Sequence, residues 1–317
     1  MADSVPVARP FAGEDDLDAI LELLRAVVAE DKGGLTVSVD DLRFEWIDDE
    51  PGWVRNLTVW DTGGKLVASF GAWHELADEA GRAYGEVAVH PDWREPVFVD
   101  EVVAASIDAV AELVDRPVEH RLGVASTQEW LRSGVERAGY TLDRVYNRMC
   151  TDITGPVPVP PVAEGFEIRP LAGEHEIDGW VAAFNAGFAD HHDPPTTSTD
   201  EKRHRMVEPG YRAAGDLVLV GPDGTIVGVG RNSIETLDDG TQRAWVNSVA
   251  IVPEHRGKGL GKALLARSIN ALYGEGFTHV RLTADSDNAS GALQLYESAG
   301  FRIDTRMTVF VRSIEPR

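Results

Sequence analysis

Residues 249–265 read VAIVPEHRGKGLGKALL and combine three features in direct succession. An apolar run, Val249 to Val252, is typical of a buried strand and ends at Pro253. A charged loop, EHRGKGLG, follows at residues 254–261. Apolar residues then recur with the spacing of an amphipathic helix, at Leu260, Leu264, Leu265 and Ile269. The stretch therefore predicts a strand, a glycine-rich loop and a helix.

The three glycines of this loop indicate an anion site. They fall within five residues at the start of the helix. Glycine has no side chain to screen the backbone, and the first N–H groups of a helix have no acceptor inside it. Those donors and the positive end of the helix dipole suit a phosphate or pyrophosphate. Arg256, Lys258 and Lys262 add positive charge to the same loop.

A glycine-rich loop of this kind can also belong to a P-loop, to a dinucleotide-binding unit or to a helix cap without a ligand. A P-loop needs Ser or Thr after Gly-Lys to hold magnesium, and here Ala263 follows Lys262. A dinucleotide-binding unit needs an acidic residue about 20 positions on, a part that Asp285 could play. Only 32 residues (317 − 285) follow Asp285, too few for the rest of a doubly wound sheet. The remaining alternative is a glycine-rich helix cap with no ligand.

The chain also repeats itself. ARPFAGEDDLD (8–18) aligns with IRPLAGEHEID (168–178), and residues 57–70 align with 217–230 at the same offset of 160. Residues 87–110 align with 249–272 at an offset of 162. Matches in order at a nearly constant offset indicate two copies of one fold.

Each copy has the same sequence of predicted elements: a strand, an acidic-capped helix, a hairpin, a long strand, the strand–loop–helix, and a last strand–helix–strand. Antiparallel hairpins that lead into a crossover predict a mixed α/β sheet with helices on its faces. The proline-rich stretch GPVPVPPVAEG predicts an extended linker. We therefore expect an N-terminal domain at 1–154, a linker at 155–165 and a C-terminal domain at 166–317.

The N-terminal copy has lost the glycine loop. The three loop glycines fall opposite Glu95, Val97 and Val99, which would screen the backbone and repel an anion. Only Arg94 survives, opposite Arg256. The fold is thus expected to form without the glycines, which favours a functional reason for them in the C-terminal copy.

Charge and composition exclude several classes of protein. The 30 basic and 53 acidic residues give a net charge of −23, which argues against a nucleic-acid binder and against docking on an anionic membrane. The single cysteine, Cys150, excludes an intrachain disulfide and a cysteine-rich zinc site. No apolar run approaches the length of a membrane span and the N-terminus does not resemble a signal peptide, so we expect a cytoplasmic protein with no metal.

The C-terminal copy resembles the GCN5-related N-acetyltransferases (GNAT), whose loop signature is Arg/Gln-x-x-Gly-x-Gly/Ala. Arg256, Gly259 and Gly261 fill that signature. A second signature is present where Asp287-Asn288 precedes a helix that carries Tyr296 and ends at Ala299-Gly300-Phe301. The tandem arrangement resembles mycothiol synthase and its relatives, in which the C-terminal half is catalytic. The resemblance implies two GNAT-fold domains and acetyl-CoA as cosubstrate.

The resemblance also implies roles for individual residues. The backbone of Val249, Ala250 and Ile251 would pair with the pantetheine arm, and Asn288, otherwise a helix N-cap, would hold the arm from the other side. The pyrophosphate would be held by the loop residues Arg256, Gly257, Lys258, Gly259, Leu260, Gly261 and Lys262. Tyr296 would protonate the departing thiolate. The alternative for Tyr296 is a core aromatic, and the N-terminal copy has Val135 at that position.

The general base is not identified by the sequence. Many relatives carry a glutamate on the strand before the loop, about where this chain has Trp245. Candidates elsewhere are Glu235 on the preceding strand and Asp190 and His191 after the first helix; a water chain is the alternative.

The resulting hypothesis is an enzyme that moves an acetyl group from acetyl-CoA to a primary amine of a small molecule or peptide, in the C-terminal domain. The alternative is a non-catalytic acyl-CoA sensor or scaffold. No nucleic-acid or membrane partner is expected, and both a monomer and a homodimer are compatible with the sequence.

Overall fold

The computed structural model describes residues 5–31, 42–48, 52–191, 194–237, 240–287 and 291–317. Contacts divide the chain into two compact units. Unit 1 comprises Met1–Tyr146 with Thr305–Arg317, and unit 2 comprises Asn147–Asp304. Each unit contains a mixed sheet with helices, as the sequence predicts.

Unit 1 has the strand order β1-β2-β3-β4-β5-β12. All neighbours are antiparallel except β4 and β5, which are parallel. The strands are β1 (Val7–Pro10), β2 (Trp53–Asp61), β3 (Leu66–Glu75), β4 (Arg82–Val89), β5 (Val118–Ala125) and β12 (Arg302–Ile314). The helices are α1 (Leu17–Asp31), α2 (Pro96–Leu113) and α3 (Glu129–Arg137), with 3₁₀ turns at Gly13–Asp16 and Pro91–Trp93 and a π-helical turn at Arg43–Ile47.

Unit 2 repeats this order as β7-β8-β9-β10-β11-β6. Its strands are β6 (Thr141–Asp152), β7 (Glu167–Pro170), β8 (Leu217–Val220), β9 (Ile226–Thr236), β10 (Gln242–Ile251) and β11 (His279–Asp285). Its helices are α4 (Ile177–Phe188), α5 (Thr199–Arg205), α6 (Leu260–Gly274) and α7 (Ala292–Ser298), with 3₁₀ turns at Glu174–Glu176, Ala213–Gly215 and Pro253–His255. The parallel pair is again the one that flanks the crossover, β10 and β11.

The repeated motif at the start of each copy has a structural cause. Arg9 makes two hydrogen bonds to the carboxylate of Asp16, at 2.6 and 2.7 Å, and Asp16 also accepts from the N–H of Ala12. Arg169 bonds Glu176 in the same way, at 2.9 and 2.5 Å. A two-bond pair between guanidinium and carboxylate fixes both groups in one plane. The pair therefore ties the first strand of each unit to the 3₁₀ turn that precedes its first helix.

The last strand of each sequence copy does not stay with that copy. β12 pairs with β5 of unit 1, from Met307↔Ala125 to Ile314↔Val118. The second half of β6, Asn147–Asp152, belongs to unit 2, where β6 lies beside β11. The contact units thus differ from the expected domains at 1–154 and 166–317, because the two copies exchange the strands that complete their sheets.

The proline-rich stretch at 155–165 lies inside unit 2. The backbone N–H of Val157 donates to the side-chain oxygen of Asn270 at 2.7 Å, and the Asn270 amide donates back to the carbonyl of Val157 at 2.8 Å. Asn270 belongs to α6. The stretch is therefore held on a helix of unit 2.

The strand exchange predicts that two nearby substitutions act on different units. Phe310 is 1% exposed in the core of unit 1, and Phe301 is 4% exposed in the core of unit 2. Removing a buried Phe side chain costs about 3–5 kcal/mol. In hydrogen exchange, Phe310→Ala should reduce amide protection in unit 1, and Phe301→Ala should reduce it in unit 2. Loss of protection in unit 2 with Phe310→Ala would contradict the exchange.

Candidate active site

Strands β10 and β11 diverge toward their carboxyl ends. Within the described chain, their parallel ladder ends at Val246↔Leu282, although β10 continues to Ile251 and β11 to Asp285. The pairing of β10 with β9 shifts register between Val246 and Ser248, as a β-bulge does. The last residues of β10 therefore keep β9 on one edge, while the other edge faces the gap.

Backbone groups of β10 point into this gap. The N–H of Val252 donates to the carbonyl of Val227 on the β9 side at 3.0 Å. Backbone groups alternate in direction along a strand, so those of Ile251 and Val249 point away from β9. The Ile251 carbonyl accepts from Arg256, so an extended ligand in the gap could pair with the Ile251 N–H and with the backbone groups of Val249.

The glycine loop follows the gap directly. Gly257 and Gly259 have φ angles of +74° and +75°, the left-handed region that favours glycine, and Gly259 is the N-cap of α6. A Cβ built on either glycine would meet nothing within 4 Å. The amides of the first helical turn, Leu260, Gly261 and Lys262, have no acceptor inside the helix. The loop is thus an open cradle of N–H donors, as the sequence predicts.

Two exposed lysines flank this cradle. The ammonium of Lys258 donates to the carbonyl of Glu254 at 3.1 Å, which keeps it on the loop. Lys262 is exposed on the first turn of α6. Their charge is available to an anion bound by the loop.

The guanidinium of Arg256 points back into the protein. Its Nε donates to the carbonyl of Ile251 at 3.0 Å, and Nη2 donates to the carbonyl of Gly187 at 2.9 Å. Nη1 donates to the carboxylate of Asp190. We call this set the arginine clamp. It joins the end of β10, the loop and the end of α4, so the structure gives Arg256 internal partners at the position where the sequence predicts a pyrophosphate contact.

Unit 1 contains an equivalent arginine clamp. Arg94 donates through Nε to the carbonyl of Val89 at 3.1 Å and through both terminal nitrogens to Asp31, at 2.7 and 3.1 Å. Val89 ends β4 as Ile251 ends β10. Arg94 therefore persists in a copy without the glycine loop because it holds the strand end in place.

Other side chains of unit 1 converge on its clamp. Gln128 accepts from the N–H of Ala125 at 2.9 Å and donates to Asp31 at 3.2 Å. The indole of Trp130 donates to Asp31 at 3.4 Å, and its ring lies 4.4 Å from the guanidinium of Arg94. The corresponding positions of unit 2 carry no such side chains, since Gly291 stands opposite Trp130 at an offset of 161.

Tyr296 lies on α7, next to Leu295, whose side chain comes close to Gly261. A Cβ built on Gly261 would be 3.8 Å from the side chain of Leu295, the neighbour of Tyr296. The Tyr296 ring is partly buried and makes an edge contact with Phe301, with ring centroids 6.2 Å apart. Burial raises the pKa of the phenol to about 12. At neutral pH the phenol therefore keeps its proton, as a proton donor must. Asn288 falls outside the described residues.

Two of the three base candidates are engaged elsewhere. The carboxylate of Glu235 accepts from the indole of Trp245 at 3.0 Å and lies 3.9 Å from Arg243. In the pairing of β9 with β10, Glu235 lies opposite Arg243. Arg243 precedes Val249 by six residues, and six residues span about 20 Å along a strand. Asp190 is held in the arginine clamp.

His191 differs from both. It is partly buried, and its ring makes an edge contact with the ring of Phe188, with ring centroids 4.8 Å apart. Burial lowers its pKa below the usual value, partly opposed by the carboxylate of Asp285, while Arg256 also lowers it. The imidazole is thus neutral at neutral pH. The sequence did not predict the arginine clamp or the interaction of His191 with Asp285. The clamp could have been found from the repeat, because Arg256 and Asp190 have counterparts in the first copy, Arg94 and Asp31.

The described residues contain no cluster of three or more His, Cys, Asp or Glu side chains placed to hold a metal ion. Among the described helices, none has the length and hydropathy that crossing a membrane requires.

A mixed sheet with a strand gap, followed by a left-handed glycine loop and a helix, defines the fold class of the GNAT acyltransferases. Residues 180–301 match the sequence model of the Acetyltransferase (GNAT) family. The mycothiol acetyltransferase of Thermobispora bispora is 31% identical over 263 residues, which cover 82% of this chain and 83% of that protein. The mycothiol acetyltransferase of Kineococcus radiotolerans is 29% identical over 311 residues, which cover 95% of this chain and 94% of that protein.

Solved structures show the same fold. A GCN5-related N-acetyltransferase from Sphaerobacter thermophilus aligns with a TM-score of 0.75 at 22% identity, over 98% of this chain and 96% of that one. A tandem GNAT protein from the clavulanic acid biosynthesis pathway aligns with a TM-score of 0.75 at 17% identity, over 99% of this chain and 100% of that one. The chain belongs to the acetyltransferase (GNAT) family, in its tandem form, and is an acetyltransferase.

Proposed function

We propose that unit 2 transfers the acetyl group of acetyl-CoA to a primary amine of a small molecule. The observation that carries this proposal is the open glycine loop directly after the gap between β10 and β11. Unit 1 has a parallel pair that ends in the same way, at Gly85↔Leu122, but α2 begins there at Pro96 without a glycine loop.

The residues of unit 2 fit the parts of acetyl-CoA. The backbone groups of Val249 and the N–H of Ile251 would pair with the pantetheine arm in the gap. The first-turn amides of α6 would hold the pyrophosphate, with Lys258 and Lys262 supplying charge. Arg256 would act indirectly, by keeping the strand end and the loop in register.

The chemistry requires a proton donor for the leaving group. The nitrogen of the acceptor attacks the carbonyl carbon of the thioester, the C–S bond breaks and the sulfur leaves with the electron pair. Tyr296 is a partly buried phenol that stays protonated well above neutral pH. We assign it the role of general acid, because its neighbour Leu295 comes close to Gly261, on the first turn of the helix that would hold the CoA.

The curated relatives are named mycothiol acetyltransferases. A mycothiol precursor with a free amine is therefore the acceptor to assay first, followed by a panel of small primary amines. Release of CoA thiol would report turnover, and mass spectrometry would identify the acetylated product.

Tyr296→Phe should lower kcat by about 10²- to 10⁴-fold, because the hydroxyl helps only while the C–S bond breaks. The ring remains, so the melting temperature and the affinity for acetyl-CoA should be retained. Tyr273→Phe is a matched control, since Tyr273 packs against the same core of unit 2 from α6. A kcat for Tyr296→Phe equal to that of the control would remove the phenol from the mechanism.

Gly259→Ala should weaken acetyl-CoA binding by at least about tenfold, or 1.4 kcal/mol. The new side chain strains a left-handed position by about 1–2 kcal/mol and projects into the open cradle. Gly224→Ala is the control, because Gly224 has a similar φ of +83°, has open space around it and lies in a hairpin turn. Titration calorimetry should show weaker binding only for Gly259→Ala. Equal losses of affinity would mean that the loop does not contact the CoA.

A further inference from the structure

Arg231 is a residue of β9 whose side chain lies on the face of the sheet that α4 covers. Side chains alternate between the two faces along a strand. Val229, two residues earlier, packs in one cluster with Trp180 of α4. On the opposite face, Asn232 donates to the carbonyl of Ser268 on α6 at 2.9 Å. Arg231 therefore shares the α4 face with Val229, and its side chain is 17% exposed there.

Strand register places Arg231 beside the gap. It lies opposite Ser248 of β10, two residues beyond Val246, where the ladder with β11 ends. Neighbouring strands are about 4.8 Å apart, so its Cα is about 10 Å from a ligand arm on the far edge of β10. In the proposed function the phosphates bind at the glycine loop, so the thioester lies toward the closed end of the gap, near Val246. An acceptor that approaches the thioester over the α4 face comes within reach of Arg231.

The guanidinium of Arg231 makes no hydrogen bond to the described residues. It forms an ion pair with Glu208, whose Oε2 lies 3.6 Å from Nη1, and this separation is too long for a hydrogen bond. No nitrogen of Arg231 is among the buried, unpartnered side-chain atoms of the described chain, so its donors remain accessible. A guanidinium carries five N–H donors. Those of Arg231 are therefore available to a ligand.

The carboxylates that interact with Arg231 are already bound by other cations. These are the carboxylates of Glu208 and Asp216. Arg205 donates to Glu208 at 3.0 Å, and the ammonium of Lys202 donates to Asp216 at 2.5 Å. Three cations and two carboxylates leave one positive charge in excess, on Arg231. A charge withdrawn from water is costly unless it is paired and hydrogen-bonded, and an anionic ligand would supply both.

Unit 1 has no arginine at the equivalent position. At the repeat offset of 160, Arg231 falls opposite Gly71. Gly71 pairs with Glu86 of β4, as Arg231 pairs with Ser248 of β10. A Cβ built on Gly71 would lie 2.3 Å from the indole of Trp73, so that ring occupies the space of a side chain. The fold thus forms without the arginine, which favours a ligand as the reason for it in unit 2.

We infer that Arg231 binds an oxyanion of the acceptor, a carboxylate or phosphate on the same small molecule as the amine. The inference rests on the proposed function. A guanidinium presents its donors as a planar fork that matches either group through two hydrogen bonds. The arginine side chain itself spans much of the distance to the gap, so the amine and the anion are separated by only a few bonds. The acceptor class is a small amine that carries one acidic group.

The test uses the intact chain, acetyl-CoA and acceptors in matched pairs: β-alanine with β-alaninamide, and phosphoethanolamine with ethanolamine. For each pair, kcat/KM of the acidic member is divided by that of the neutral member. In Arg231→Gln this ratio should fall by about 10- to 100-fold from the wild-type ratio, the range for hydrogen bonds to charged groups. Comparing the ratios of two variants cancels the difference in amine basicity within a pair. The two pairs distinguish a carboxylate from a phosphate.

The loss should appear in KM of the acidic member. The anion is held equally in the ground state and in the transition state, so kcat should be retained. Titration calorimetry should give the wild-type affinity for acetyl-CoA. Arg231→Lys keeps the charge without the planar fork, so its ratio should lie between those of the wild type and Arg231→Gln.

Glu208→Gln separates acceptor binding from a structural ion pair. If Arg231 only stabilised the fold through Glu208, both glutamine variants would lower the melting temperature and neither would alter the ratio. If Arg231 binds the acceptor, Glu208→Gln removes a competing carboxylate and the ratio should rise. Arg231→Gln should then keep the melting temperature, because it removes a poorly paired charge from a largely buried position.

Failure of the inference differs from failure of the proposed function. If the wild type acetylates amines and the ratio of both pairs is unchanged in Arg231→Gln, the inference is wrong and the proposed function stands. If no amine, acidic or neutral, causes release of CoA thiol, the proposed function fails and the inference fails with it.

Discussion

The divergence of β10 from β11 is the constraint on which the rest of the site depends. Beyond Val246, the outward backbone groups of β10 face a gap, apart from the Ile251 carbonyl that Arg256 binds, and unpaired backbone groups in a protein interior are costly. A ligand with an extended amide-bearing arm can satisfy them as a neighbouring strand would. In the proposed function the glycine loop would hold the ligand at the end of the strand, because its left-handed residues turn the chain at once into a helix whose first amides have no acceptor inside it.

The arginine clamp keeps this arrangement in both units. In each unit one guanidinium bonds the last carbonyl of the splayed strand and a carboxylate near the end of the first helix. Unit 1 retains the clamp and has lost the glycines, so the clamp belongs to the fold, and the proposed function assigns the glycines to the ligand. This separation explains how a duplicated chain can conserve one architecture and confine substrate binding to one copy.

Much of this could be predicted from the sequence because the signals are local. The repeat, the hairpin turns, the helix after Gly259 and its buried face at Leu260, Leu264, Leu265 and Ile269 all follow from residue type and spacing. The strand exchange could not be predicted, since the pairing of β12 with β5 joins residues about 190 positions apart and leaves no local trace. Nor could the partners of Arg256, because a loop arginine can point toward a ligand or back toward the protein with the same sequence.

The central claim is that only unit 2 binds acetyl-CoA. Titration calorimetry of the intact chain with acetyl-CoA measures it most directly, because the stoichiometry does not depend on the acceptor. The account predicts one site per chain. Two equivalent sites per chain would contradict it, since the second could only be in the copy where Glu95, Val97 and Val99 stand in place of the three glycines.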